Sequence, residues 1–185
     1  MRDARHRKPV LFGPRCKYDG GNRRASDIRY IVIHSAESPS DAAQGVANYG
    51  ARTTTPVSWH LVVDDNVLIR QLPDLVVSWT APPLNQNGLH IELCGRAAYS
   101  KLEWYRHQAT LKRAAWQVAR WCRSFNVPPR WLSNTELDEG EDKGIVTHSQ
   151  VSEVFRKSSH WDPGKGFPRR YFMYLVRRRI KWLSG

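Results

Sequence analysis

The chain is short of cysteine. It has three, Cys16, Cys94 and Cys122, in 185 residues. The number is odd and no two stand at a close metal-ligand spacing. That excludes a zinc knuckle and leaves no disulfide framework to staple the fold. Buried free thiols in a reducing compartment are the expected state. Long apolar runs are also missing, and no segment approaches the roughly 20 residues of a membrane-spanning helix. The opening stretch MRDARHRKPVLFG is basic and lacks the apolar core of a signal peptide, so synthesis in the cytoplasm is expected. Acidic residues are scarce: 17 Asp and Glu face 29 Lys and Arg, for a formal net charge of +12. Such a balance points to a polyanionic partner, whether nucleic acid, an anionic membrane or an acidic cell-wall polymer. No nucleic-acid-binding motif accompanies the charge, so nucleic acid is not the expected partner.

What is present suits one folded domain. Apolar residues make up 41% of the chain and eight are tryptophan, which argues against disorder. Residues 1–27, rich in charge, Gly and Pro, read as a basic N-terminal arm with little regular structure. Residues 28–185 read as one globular unit. Within it, IRYIVIHS (28–35) is a β-branched run expected as a buried central strand with His34 at its exit. SPSDAAQGVANYGA follows as a short helix capped by Ser or Asp. SWHLVVDDNVLIRQL reads as a hairpin around an Asp-Asn turn, SWTAPPLNQNG as a loop and LHIELCG as a strand. The stretch HQATLKRAAWQVARWCRSFNVPP has a helical period. Leu111, Ala114, Ala115, Val118, Cys122 and Phe125 share its apolar face, and Arg113, Gln117 and Arg120 lie opposite. NTELDEGEDKG reads as an acidic loop, GIVTH as a short strand delivering His148, and RRYFMYLVRRRIKWL as a basic final helix. Strands alternating with helices give an α/β class, and the hairpin makes the sheet mixed rather than all parallel.

Two features ask for chemistry. His34 and His148 stand at the exits of predicted buried strands, and Asp162 stands in the Pro-Gly turn of KSSHWDPGKGFP. Two histidines and one carboxylate with an open fourth position make a catalytic zinc set. Hydrogen-bonded structural histidines are the other reading of the same residues. In LHIELCG, alternation puts His90, Glu92 and Cys94 on one face and Leu89, Ile91 and Leu93 on the other. A carboxylate inside an apolar strand is costly unless something uses it. Glu92 is then either a solvated residue on an edge strand or a general base of raised pKa beside the metal site. A Cys94–His90 dyad is ruled out as a nucleophile and base, because residues four apart on a strand are roughly 13 Å apart.

Five segments in this order, YIVIHSAE, PVSWHLVVDDN, NGLHIELCG, GIVTHSQVS and HWDPGKGFP, resemble the zinc-dependent N-acetylmuramoyl-L-alanine amidases. That family includes phage endolysins and peptidoglycan recognition proteins, and the resemblance spans roughly residues 28–175. It implies a central mixed β-sheet flanked by α-helices and one Zn2+. It also implies cleavage of the amide between the lactyl group of N-acetylmuramic acid and L-alanine. By motif, His34, His148 and Asp162 are similar to the metal ligands and Glu92 to the catalytic glutamate. His160 falls where many relatives carry a lysine that stabilises the oxyanion, and it is an alternative to Asp162 as third ligand. Trp59, His60, Trp79 and Asn87 are candidate substrate-binding residues, since flat aromatic rings suit sugar faces; core packing accounts equally for the tryptophans and for His60. Trp59 precedes the hairpin histidine where relatives often have Tyr, and Thr80 follows Trp79 where many have His. These departures keep open a peptidoglycan-binding module without catalysis. The expected protein is a monomeric endolysin, made in the host bacterial cytoplasm and acting on the wall after release. Its basic termini would attract an anionic envelope, teichoic acid or lipopolysaccharide. His6 and His107 read as surface residues.

Overall fold

The computed structural model describes residues 10–184. The first nine residues of the expected arm, with His6, lie outside them. Among the described residues there are six strands: β1 (Val10–Phe12), β2 (Tyr30–Ser35), β3 (Leu61–Val63), β4 (Leu68–Arg70), β5 (Gly88–Leu93) and β6 (Gly144–Thr147). The helices are α1 (Ala43–Arg52), α2 (Lys101–Arg106), α3 (Gln108–Ser124), α4 (Asn134–Glu139), α5 (His148–Phe155) and α6 (Arg169–Ser184). The strands form one sheet in the order β1-β4-β3-β5-β2-β6. Only the β3–β4 hairpin pairs antiparallel, so the sheet is mixed, as expected.

Period-two alternation divides the sheet. Ile31, Ile33, Leu61, Val63, Leu89, Ile91 and Leu93 point to one side, where α3 and α6 cover them with Leu111, Ala115, Val118, Phe172 and Val176. On the other side the apolar cover comes in two separate patches. Val62 and Ile69 pack with Ala43 and Ala47 of α1, while Val32 and Val146 pack with Leu137 and Val151 of α4 and α5. His34, His90 and Glu92 alternate onto this second side, between the two patches.

Several local expectations are corrected. Residues 10–27 are not a loose arm: β1 pairs in parallel with β4 at the sheet edge, and Cys16 and Arg23 are buried. The Arg23 guanidinium donates to the carbonyls of Asp74, Asn85, Gln86 and Gly88. Those carbonyls lie more than 50 residues on, so local composition carries no trace of them. The acidic stretch is partly helical, because Ser133 and Glu136 make a reciprocal capping box that starts α4. Ser100 and Glu103 do the same for α2. The cap of α1 is neither Ser nor Asp of its own segment. The Asp64 carboxylate accepts from the Ala43 N–H at 3.0 Å and also closes the hairpin turn through Asn66 and Val67. Gln117, placed on the polar side of α3, is buried. His107 is half-buried, and its Nδ1 stands 2.8 Å from Asp65. The three cysteines are free and buried. Among the described residues, no helix is long and apolar enough to cross a membrane.

Candidate metal centre

β2 and β6 are parallel neighbours, so they leave the sheet at the same edge. His34 is near the end of β2, and His148 follows β6 as the first residue of α5. Thr147 and Gln150 form the capping box that turns the chain from strand to helix at that point. Asp162 arrives from the Pro-Gly turn. Its carbonyl accepts from Ser149 N–H at 2.9 Å, which anchors the turn to the start of α5. The turn needs glycine: Gly164 has φ +81°, and a Cβ there would lie 1.8 Å from the Ala97 carbonyl oxygen.

These three residues converge. His34 Nδ1 lies 3.2 Å from His148 Nδ1 and 3.2 Å from Asp162 Oδ2, and His148 Nδ1 lies 3.1 Å from Asp162 Oδ1. Donors about 2.0–2.1 Å from a tetrahedral zinc would stand about 3.3–3.4 Å from one another. Each pair therefore stands at nearly the spacing that a tetrahedral ion requires, with a different Asp162 oxygen facing each histidine. Protonation suits the same use. Burial pulls His34 down to about 4, against a smaller opposing effect of its Asp162 hydrogen bond, so the ring is neutral near pH 7. Burial pushes Asp162 up, but hydrogen bonds from His148 and His34 outweigh it and hold the carboxyl well below its ordinary range. Neutral imidazole and ionised carboxylate are the forms that ligate metals. Among the described residues, this is the one group of three or more such side chains placed to hold an ion.

Glu92 sits directly across the β2–β5 pairing from His34, with Oε1 3.9 Å from His34 Nδ1. Its strand is internal, paired with β3 on one side and β2 on the other. That removes the edge-strand reading: Glu92 is 8% exposed. Burial pushes its carboxyl well above the ordinary value, and the negative charges of Asp162 and Glu37 push it further the same way. His160 is different. Its side chain is 64% exposed, its ring stacks on His148 with centroids 4.4 Å apart, and its Nδ1 is 3.7 Å from Asp162 Oδ1. The donor triangle is made with Asp162, and His160 stands outside it at the mouth.

The triangle opens into a cleft of about 510 Å³ that Glu92, His160, Trp59 and Thr80 also line. Trp59 is held by its indole N–H, which donates to Gln71 at 2.6 Å. The other candidate substrate contacts lie elsewhere. His60 is fully buried and binds backbone: its Nδ1 accepts from His90 N–H. Trp79 stacks on Tyr18 rather than lining this cleft. Asn87 precedes β5, at the opposite end of the strand from Glu92, roughly 16 Å away at 3.3 Å per residue. Sequence reasoning missed Glu37, which lines the cleft and accepts from Ser35 Oγ and Ala97 N–H. It also left His90 without a role, although alternation had placed it on the Glu92 face.

The family model of N-acetylmuramoyl-L-alanine amidases matches residues 24–165. A search of the curated proteins finds no match. Among solved structures, the Staphylococcus aureus hydrolase AmiA, determined in complex with its ligand, superposes with a TM-score of 0.73 at 14% identity, covering 96% of this chain and 86% of that one. A mutant endolysin from Bacillus subtilis gives 0.57 at 20% identity, covering 91% and 98%. The N-acetylmuramoyl-L-alanine amidase LysC from Clostridium intestinale gives 0.58 at 12% identity, covering 92% and 99%. At these identities the superpositions speak for the fold, and the family match covers more than half the sequence. The chain belongs to the N-acetylmuramoyl-L-alanine amidase family.

Proposed function

We propose that the protein is a zinc-dependent peptidoglycan hydrolase that cuts the amide between N-acetylmuramic acid and L-alanine. The observation that carries this reading is the buried His34–His148–Asp162 triangle with Glu92 beside it and a cleft in front. Zinc bound there would supply Lewis-acid polarisation and lower the pKa of water. Glu92, raised by burial, is suited to take a proton from the attacking water and return it to the leaving nitrogen. The carbonyl carbon gains the hydroxyl, the C–N bond breaks, and L-alanine leaves with a free amino group. His160 at the mouth would donate a hydrogen bond to the carbonyl oxygen as negative charge develops on it. Trp59 and Thr80 form walls against which the substrate packs. The triangle is completed within one chain, so a monomer is the expected working unit.

The biological setting that fits is lysis of a host bacterium by a phage endolysin, made in the host cytoplasm and acting on the wall after release. The net charge of +12 and the exposed arginines of α6, such as Arg178, support attraction to teichoic acid or lipopolysaccharide. The decisive experiment measures soluble peptide released from purified peptidoglycan with chelator, without it, and after zinc add-back. Mass spectrometry identifies the bond. Free L-alanine amino termini that vanish with chelator and return with zinc are expected. Tight binding without cleavage would overturn the enzyme reading in favour of a recognition module.

A further inference from the structure

We propose that His90 is a positioning residue for the metal site: its Nδ1 accepts the Nε2 proton of His34 and locks His34 in the tautomer that frees Nδ1 for a metal. This rests on the reading of the triangle as a metal centre. A metal held together with His148 and Asp162 would sit on His34 Nδ1, so in the loaded site the lone pair is on Nδ1. A neutral imidazole then carries its single proton on Nε2. That atom lies 3.1 Å from His90 Nδ1, which must be the acceptor. A ligating histidine usually hands this proton to a carboxylate or a carbonyl; here the receiver is a second histidine.

With the His34 proton on Nε2, the other contacts follow in turn. His90 Nδ1 accepts, so the His90 proton sits on Nε2. That atom is buried without a hydrogen-bond partner among the described residues. The ring is held in place from two sides. It stacks on His60 with centroids 5.9 Å apart and planes 9° apart. The His90 backbone N–H donates to His60 Nδ1 at 3.0 Å, which leaves the His60 Nε2 proton for the Val76 carbonyl at 2.9 Å. The positive charge of the Arg23 guanidinium, 3.0 Å from His60 Nε2, opposes protonation of the His60 ring to the cation. Gly88 supplies the room: a Cβ at that position would lie 2.7 Å from His90 Nε2 and 2.6 Å from the Leu84 carbonyl oxygen. His148 has no such support, since its Nε2 is buried without a partner.

The test reads metal binding rather than turnover. Zinc dissociation constants are measured by chelator competition on the full chain, as wild type, His90→Phe and His90→Asn. Nitrogen-15 NMR of the zinc-loaded wild type reads which His34 nitrogen carries the proton. His90→Phe keeps bulk but removes the acceptor, and should weaken zinc binding by about 10–100-fold. His90→Asn, whose Oδ1 stands near the place of Nδ1, should stay within about threefold of wild type. Equal zinc affinity in His90→Phe and wild type, or equal loss in Asn and Phe, overturns the proposal. If His90→Phe does not fold, the NMR spectrum decides: a His34 proton on Nε2 supports the proposal, and one on Nδ1 overturns it. A wild type that binds no zinc would sink the metal centre itself, and the proposal with it. Zinc binding that responds to His90 without cleavage of peptidoglycan would leave this inference standing and remove only the substrate assignment.

Discussion

Strand β5 shows two environments one residue apart. Ile91 points into the continuous apolar layer under α3 and α6, while His90 and Glu92 point into the gap between the α1 patch and the α4–α5 patch. On the first side each residue contributes through area removed from water. On the second side the protein buries His34, His60, His90, His148, Glu92 and Asp162, which disfavours folding unless each finds a partner. The stabilising layer and the reactive row are made by the same strands and are separable by substitution. One face holds the strands still so that the other can hold charged groups apart from water.

The sharpest test of that separation is His148→Ala. It should reduce zinc binding and peptidoglycan cleavage to background in a protein that still melts cooperatively, checked by metal analysis and peptide release. Glu92→Gln should follow, with kcat lower by about 10²–10⁴ and zinc affinity unchanged. A fall in zinc affinity of the same size would make Glu92 a ligand rather than a base. On the opposite face, Ile91→Ala should destabilise by about 2–5 kcal/mol in denaturant melts, while kcat per folded molecule stays at the wild-type value. A large kcat loss there would show that the two faces are coupled.

The polar face should also give the metal-free protein a pH signature. Burial lowers His34 to about 4. Burial and then Arg23 lower His60 to about 3, and burial holds His90 well below its ordinary value. A histidine with a depressed folded pKa binds protons more readily when unfolded. Its stabilisation is complete above the unfolded value near 6.5 and is lost as pH falls from there towards about 4 and about 3. Each such histidine adds up to roughly 1.4 kcal/mol per pH unit to the slope. Urea melts of the chelated protein across that range measure the slope, and His60→Phe should flatten it. The smallest effect is expected outside both faces. Arg178→Ser with Arg179→Ser should weaken sedimentation with anionic envelopes by about 1 kcal/mol per charge or less, with no change on purified, polymer-free peptidoglycan.

Local pattern was enough for much of this. The β-branched run before His34, the Asp-Asn hairpin, the period of α3 and the apolar stripe of α6 each depend on residues a few positions apart. Motif order was enough to bring His34, His148, Asp162 and Glu92 into one hypothesis. Capping boxes at Ser100 and Ser133 were also legible as S-x-x-E, although the helices they start went unread. Alternation put His90 and Glu92 on one face, but it could not say what covered that face.

The tertiary structure alone decided what depends on distant segments. Whether Glu92 was solvated or buried turned on β5 lying between β3 and β2, a pairing of chain segments far apart in sequence. Asn87 fell away from the cleft because a parallel strand carries its first residue to the far end of the sheet. His60 became a backbone acceptor, and Arg23 a buried clamp, through contacts across loops. The periodicity of the chain determines which side of an element a residue faces; only the packing of elements determines what that residue meets there. Burial, protonation and metal-ready geometry all follow from that second fact.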